Sequence, residues 1–321
     1  MFPYIHVPDI GSYVHPFGLL VSIGVILGTY LANWRARIRG LDLDKLNSFI
    51  TWMLVCGFIG AHVFDEIFYH PKEIIERPWS LLMFWASLSS FGGFLGALIG
   101  VLGWKYFEAL PLFRVGPLFT IPKFRRRAVS ESILPYCDLI LSVFPVAWVF
   151  GRSGCTVAHD HPGMKVPMGT FLSVAYGKWD PAKTQHIGPI ELRWGNAPQY
   201  DLGLMELLFT IVIATLFALT WRKRLTTGTY IVLTAFTYGP VRLVMDFIRI
   251  KDGDSADLRY GNLTFAQYCC LALVLYGVAM VFMVRKFQRE GSDPVNRLLA
   301  PKSELLGEAP EPPPPPPVVA A

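Results

Sequence analysis

Charge is scarce in this chain: Asp, Glu, Lys and Arg make up 17% of 321 residues, while 53% are hydrophobic. With a positive mean hydropathy, that balance is too apolar for a water-soluble domain of this length. Cysteine is equally sparse. None of the five, Cys56, Cys137, Cys155, Cys269 and Cys270, is spaced as a CxxC pair, which removes the usual zinc-ribbon and dithiol motifs. Four of them sit in apolar segments as small core residues, and Cys155 falls just inside a polar stretch beginning at Arg152. The N-terminus lacks the basic start of a cleavable signal, and Pro3, Pro8, Asp9 and Gly11 interrupt Met1–His15, so the first apolar stretch is expected to be retained. The net charge of +5 does not indicate nucleic-acid binding, because the basic residues fall in short runs between long apolar stretches.

Those apolar stretches carry the fold. A helix needs about 20 mostly apolar residues to cross the hydrocarbon core. Seven stretches come close: Phe17–Trp34, Ser48–Tyr69, Leu81–Tyr106, Ile133–Gly151, Leu202–Trp221, Thr229–Ile248 and Thr264–Val284. The expected fold class is all-α, a polytopic membrane protein of about seven transmembrane helices. Arg35, Arg37 and Arg39 follow the first stretch, Lys123 and Arg125 to Arg127 the third, Arg222 to Arg224 the fifth, and Arg285, Lys286 and Arg289 the seventh. Basic residues mark the cytoplasmic ends of spans. The N-terminus is therefore expected in the periplasm and the C-terminus in the cytoplasm, in a bacterial inner membrane.

Three connections then face outward: His70–Ser80, Arg152–Asp201 and Arg249–Leu263. The middle one, residues 152–201, is long and rich in Gly, Pro and aromatics, and reads as a small loop-rich periplasmic cap on a membrane domain covering residues 1–290. From Gly291 to Ala321 the chain reads as a disordered cytoplasmic tail. Its run Pro312–Pro317 is suited to a polyproline conformation and to a cytoplasmic proline-binding partner.

Ionisable residues at membrane depth are costly, about 2.5–3.5 kcal/mol each on insertion scales, so those present are candidates for function. His62, Asp65 and Glu66 lie on the second span, with His62 and Glu66 on one helical face. The fourth span runs into GRSGCTVAHDHPG, residues 151–163. There Arg152 is suited to gripping a phosphodiester, and Gly151 and Gly154 let the backbone approach a headgroup. His159, Asp160 and His161 form a polar cluster fit for acid–base or headgroup contact. His159 and His161 are also metal-ligand types, but no third ligand has suitable spacing, so no metal is expected. The sixth span closes in YGPVRLVMDFIR, residues 238–249, with Arg242, Asp246 and Arg249 on one face; an Arg242–Asp246 ion pair and an Arg242 facing Arg152 are expected. On the third span, SSFGGFLGALIG places Gly92, Gly96 and Gly100 four apart, which favours close helix packing.

Together these segments resemble the prolipoprotein diacylglyceryl transferases over roughly Phe17–Arg285. Members have seven spans with the N-terminus outside, a His-Gly-Gly segment on the third, a GRxGNF…GE…G signature after the fourth, and YGxxR…E on the sixth. The matching positions here are Phe91-Gly92-Gly93, Gly151-Arg152 through Gly154 to Gly163, and Tyr238-Gly239 through Arg242 and Asp246; Gln267 also fits. The resemblance implies an enzyme with phosphatidylglycerol and preprolipoproteins as substrates. It would move the diacylglyceryl group to the lipobox cysteine thiol and release glycerol phosphate. Arg152 and Arg242 would hold the phosphate, with Gly92, Gly93, Gly154, Gly163, Tyr238 and Asp246 lining the substrate site. Departures from the pattern are Phe91 for the histidine, Cys155 for the asparagine, Asp160 and Asp246 for glutamates, Phe17 for a tyrosine and His62 for an arginine. Two readings follow: His159, His161 or His62, with Asp160, replaces the lost base, or the chain is a divergent accessory protein that binds anionic lipid without transfer. A transporter is disfavoured, since no inverted repeat is evident.

Overall fold

The computed structural model describes residues 1–9, 15–69, 71–83, 89–115, 119–251 and 259–299. Its helices are α1 (Pro16–Arg39), α2 (Leu43–Tyr69), the short α3 (Pro71–Glu76), α4 (Ser90–Tyr106), α5 (Leu134–Ala158), α6 (Leu202–Thr220), α7 (Thr229–Met245), α8 (Phe265–Glu290) and α9 (Pro294–Leu299). Among the described residues, six helices are long and apolar enough to cross a membrane: those at Pro16–Arg39, Leu43–Ile67, Leu134–Ala158, Leu202–Thr220, Thr229–Ile248 and Phe265–Glu290. The protein is a mostly helical, multi-pass membrane protein. The third expected stretch, Leu81–Tyr106, divides into a 3-10 turn at Pro78–Leu82 and the 17-residue α4. Residues 84–88 of that stretch lie outside the described residues.

Large apolar side chains on these helices face outward, among them Ile26, Leu98, Leu219, Leu275 and Phe282, as lipid-facing surfaces require. Midway along the contact of α2 with α4, by contrast, small residues bring the backbones together. A Cβ on Gly96 would lie 2.2 Å from the Cys56 carbonyl oxygen, and one on Gly92 would lie 2.5 Å from that of Gly60. Backbone atoms cannot yield as a side-chain tip can. Gly96→Leu is therefore expected to cost about 1–3 kcal/mol or more through forced separation of α2 from α4, measured as lower thermal stability in detergent.

One end of the bundle is basic. Lys45 pairs with Glu131 at 2.6 Å, the Trp34 and Trp221 rings lie 5.8 Å apart, and the Thr227 amide donates to Asp293. Two antiparallel strands, β2 (Phe107–Val115) and β3 (Phe119–Arg126), leave α4 at this end; the run Lys123–Arg127 belongs to that hairpin and its exit. Past the left-handed Gly291, α9 packs Val295 and Leu298 onto the core formed by Leu46, Phe49, Trp104 and Leu139. Folded chain thus continues to Leu299, and the proline run, within residues 300–321, lies outside the described residues.

The opposite end carries the cap. β4 (Pro162–Lys165), β5 (Ser173–Trp179) and β8 (Gly195–Asp201) form a sheet ordered β4-β8-β5. β6 (Gln185–Ile187) and β7 (Ile190–Arg193) form a hairpin that β1 (Tyr4–His6) completes, pairing Tyr4 with Arg193. The cap is therefore a pair of small sheets rather than loops, and it recruits the N-terminus. A further two-stranded ladder, β9 (Arg259–Tyr260) with β10 (Leu263–Thr264), precedes α8.

Two boundaries are corrected. α5 runs to Ala158, so Arg152 and Gly154 are helical and the cap begins at His159. Gly154 serves packing: a Cβ there would meet the Phe17 ring at 2.8 Å. α7 ends at Met245 and a 3-10 turn follows, so Arg249 leaves the helical face of Arg242 and Asp246 and bridges Gly163 through its backbone.

Candidate functional site

At the cap end of α5, α6 and α7, four ionised side chains close on one another below the surface. Arg152 donates through Nη2 to Glu206 Oε1 at 2.9 Å, and Arg242 Nε lies 3.8 Å from Glu206 Oε2. Arg242 Nη1 donates to Asp246 Oδ1 at 2.8 Å, and the Tyr238 hydroxyl donates to Glu206 Oε1 at 2.7 Å. Arg152, Glu206 and Asp246 are all buried. Two positive and two negative groups thus balance within the membrane domain, which is what makes their burial tolerable. Trp148 supports the cluster from one side, its ring 4.7 Å from the Arg152 guanidinium carbon. Among the described residues, Arg152 Nε has no hydrogen-bond partner; it is a donor in reserve.

Glu206 was not among the sequence candidates. It is the sole charged residue of the 19-residue α6, the most apolar long helix of the chain, and a lone carboxylate in such a segment was the signal that could have found it.

Asp246 ties the cluster to α8. Its carboxylate accepts from the Thr264 hydroxyl, and Thr264 and Gln267 form a reciprocal capping box at the start of α8. Gln267 also donates to the Leu243 carbonyl at 3.3 Å. Gln267 acts here as a clamp between α7 and α8.

The polar residues after α5 divide into two groups. His159 takes a left-handed conformation, φ 51°, where α5 ends. Its Nδ1 lies 2.7 Å from Asp201 Oδ2 and its Nε2 3.1 Å from the Ile5 carbonyl, and its ring stacks on Tyr4 at 3.8 Å. Both ring nitrogens therefore face acceptors within the cap. Tyr176 donates to the same Asp201 carboxylate at 2.8 Å; burial, and then that carboxylate, push its phenol well above the usual range. Asp201 also caps α6 by accepting from the Leu204 amide. Asp201→Ala, which removes three contacts at once, is expected to destabilise the cap on the order of 1–3 kcal/mol, read as faster proteolysis between Pro162 and Asp201.

Asp160 and His161 form the second group. They hydrogen-bond to each other at the cap surface, and Cys155 lies beneath them on the last turns of α5. Cys155 Sγ accepts from Arg152 Nη1 at 3.6 Å.

His62 is placed elsewhere. It is buried on α2, with Nε2 2.9 Å from the Ser80 carbonyl, while the Ser80 hydroxyl donates to Glu66 at 2.7 Å. This network closes α2 over the 3-10 turn rather than onto the arginine pair. Gly92 and Gly93 lie at the α2–α4 contact, where Gly93 has the Ala61 methyl as its nearest neighbour. A Cβ on Gly163 would sit 2.9 Å from the Tyr200 Cβ. Of the glycines expected as substrate contacts, Gly92, Gly154 and Gly163 are thus sites of close protein packing, and Gly93 is not.

The family description of prolipoprotein diacylglyceryl transferases matches residues 6–124 and 115–283. The chain belongs to this family. Among curated relatives, the phosphatidylglycerol–prolipoprotein diacylglyceryl transferase of Pseudomonas aeruginosa is 26% identical over 291 residues, 88% of this chain and 92% of the relative. The protein of the same name from Acinetobacter baumannii is 25% identical over 273 residues, 84% and 88% of the two chains. The arginine cluster and the cap both lie within the matched length. Phe91, where the family resemblance calls for histidine, occupies the first turn of α4.

Proposed function

We propose that this protein transfers the diacylglyceryl group of phosphatidylglycerol to the lipobox cysteine thiol of preprolipoproteins, in lipoprotein biosynthesis. Family membership supplies the reaction. The observation that carries it to particular residues is a buried Arg152 and a partly buried Arg242 on one shared carboxylate, with Arg152 Nε still available. The leaving group is an anion, and guanidinium groups fixed in a water-poor site stabilise charge developing there at no cost of reorganisation. Arg152 and Arg242 bind the phosphate in this scheme. Glu206 and Tyr238 hold both arginines in place, and Asp246 fixes Arg242 from the other side. The acyl chains extend along the lipid-facing helices, and the precursor thiol enters from the cap side, past His161 and Asp160.

The basic end formed by Arg35 to Arg39, the β2–β3 hairpin and Arg222 to Arg224 supports an orientation with that end in the cytoplasm and the cap in the periplasm, across the inner membrane. Residues 1–290 then act as the membrane domain. Residues 300–321 carry the proline run, whose composition suits a cytoplasmic proline-binding partner.

The test is direct. Purified protein in phosphatidylglycerol-containing micelles is expected to label a lipobox peptide from radiolabelled or fluorescent lipid, and to complement a strain depleted of its own transferase. Phe91 favours a second reading, a paralogue that binds anionic lipid without transfer. Under that reading phosphatidylglycerol binds while the peptide stays unmodified and complementation fails.

A further inference from the structure

Left-handed His159 turns the chain back over the last turns of α5, so that Asp160 and His161 return toward Cys155. One ligand atom from each, the Cys155 sulfur, an Asp160 carboxylate oxygen and a His161 ring nitrogen, all lie within 4.8 Å of one another. Three donors of metal-ligand type thus gather in one small volume, Asp160 Oδ1 and His161 Nδ1 being hydrogen-bonded to each other until an ion draws them apart. The grouping was hidden in the sequence because the third ligand lies on the helix rather than beside the histidines. The backbone that presents the donors is pinned, since the His161 carbonyl accepts from the Leu202 amide at 3.0 Å and Pro162 pairs with Asp201 in the cap sheet.

We infer that Cys155, Asp160 and His161 form a zinc site with an open fourth position, and that the bound ion supplies the substrate thiolate that Phe91 cannot help to generate. The inference rests on the transferase reading above. A thiolate, an imidazole and a carboxylate form a zinc-type ligand set. Three protein ligands with one position left open is the catalytic arrangement, whereas structural zinc is closed by four. Burial falls from Cys155 to Asp160, which is exposed, so the open position faces the cap side where a precursor would arrive. Charge also balances: two anionic ligands neutralise the ion beside an Arg–Glu cluster that is itself neutral.

The site also stands where the chemistry needs it. Arg152 touches the Cys155 sulfur through Nη1 and Glu206 through Nη2. A metal-bound thiol and an arginine-bound phosphate would thus lie on either side of a single guanidinium. A zinc held by Cys155, Asp160 and His161 would keep a precursor thiol as thiolate, its proton passing to solvent. The sulfur lone pair then forms the C–S bond to the terminal glyceryl carbon of the diacylglyceryl group as the C–O bond to phosphate breaks. The electron pair departs on the phosphate oxygen, which the arginines hold. Nothing is oxidised or reduced.

The full chain, purified in detergent and exposed to zinc, is expected to hold about one zinc per chain by elemental analysis. Cys155→Ser and His161→Ala, each checked for monodisperse elution, should weaken zinc binding at least tenfold, while Cys269→Ser should not. Cobalt in place of zinc should give a near-ultraviolet sulfur-to-cobalt band that disappears in Cys155→Ser. A wild-type chain without stoichiometric zinc, or variants that keep it equally well, would overturn the site. If a chain verified as metal-free still labels the lipobox peptide, the zinc proposal fails and the transferase reading survives. If the cobalt-loaded chain shows the band but the zinc-loaded chain never labels the peptide, the site stands and the transferase reading falls. Labelling lost on chelation and restored by zinc supports both.

Discussion

Arg152→Ala lowers diacylglyceryl transfer by roughly 10²–10³-fold, the usual cost of removing one fixed donor from a developing oxyanion. The side chain is buried, clasped by Glu206 and stacked on Trp148, so alanine removes both its charge and its packing. Arg152→Lys separates the two. Lysine restores a positive charge without the planar fork, so it should support folding while recovering little of the rate. The measurement is initial rate of lipobox-peptide labelling at saturating phosphatidylglycerol, for both variants and wild type. Full activity in Arg152→Ala would rule out the assignment of the phosphate to this arginine.

Glu206→Ala has the larger effect on the fold. Removing one partner from a buried ion pair leaves an uncompensated charge and costs about 3–5 kcal/mol. Here two arginines lose their shared carboxylate, and Tyr238 loses its acceptor. The expected result is a large drop in thermal stability in detergent and a low membrane yield. Glu206→Gln keeps the shape and one acceptor for Tyr238 but still strips the negative charge, so it should fall between alanine and wild type. A double variant, Glu206→Gln with Arg242→Gln, removes one charge of each sign and should recover part of the loss. If it is instead as unstable as the sum of the single changes, the two residues do not act as a pair.

Much of this arrangement was legible in the chain. The apolar stretches gave the helices, because only segments of that length and composition satisfy their own backbone in lipid. The Arg242–Asp246 pair follows from a spacing of four on a helix and the cost of burying either charge alone, and the nearness of Arg152 to Arg242 from the fit of two arginines to one anionic headgroup. Glu206 stands apart from the polar segments at the ends of spans, one turn inside a segment otherwise without charge. His159 was judged by its residue type. Its role depends on Ile5 and Tyr4, which reach it from the far end of the chain through the β1–β7 pairing, and no local pattern encodes that. The β2–β3 hairpin was obscured by its prolines, Pro111 and Pro122, which face each other across the ladder and normally argue against a strand. Gly154, expected to let the backbone approach a headgroup, is a contact with α1.

The distribution of the four charges over α5, α6 and α7 sets an order on biosynthesis. Arg152 reaches the membrane first, without a counter-charge, and its carboxylate partner is made only after the whole cap has been synthesised. On its own α5, though apolar enough to cross, carries the insertion cost of an unpaired arginine. That cost falls when α6 arrives, so the two helices settle as a hairpin joined by the cap. α7 follows with its own cation and anion four residues apart, and needs no waiting partner. A nascent chain stopped between Ala158 and Leu202 would present α5 with its cation exposed to lipid, a state that membrane quality control can recognise before any active enzyme exists.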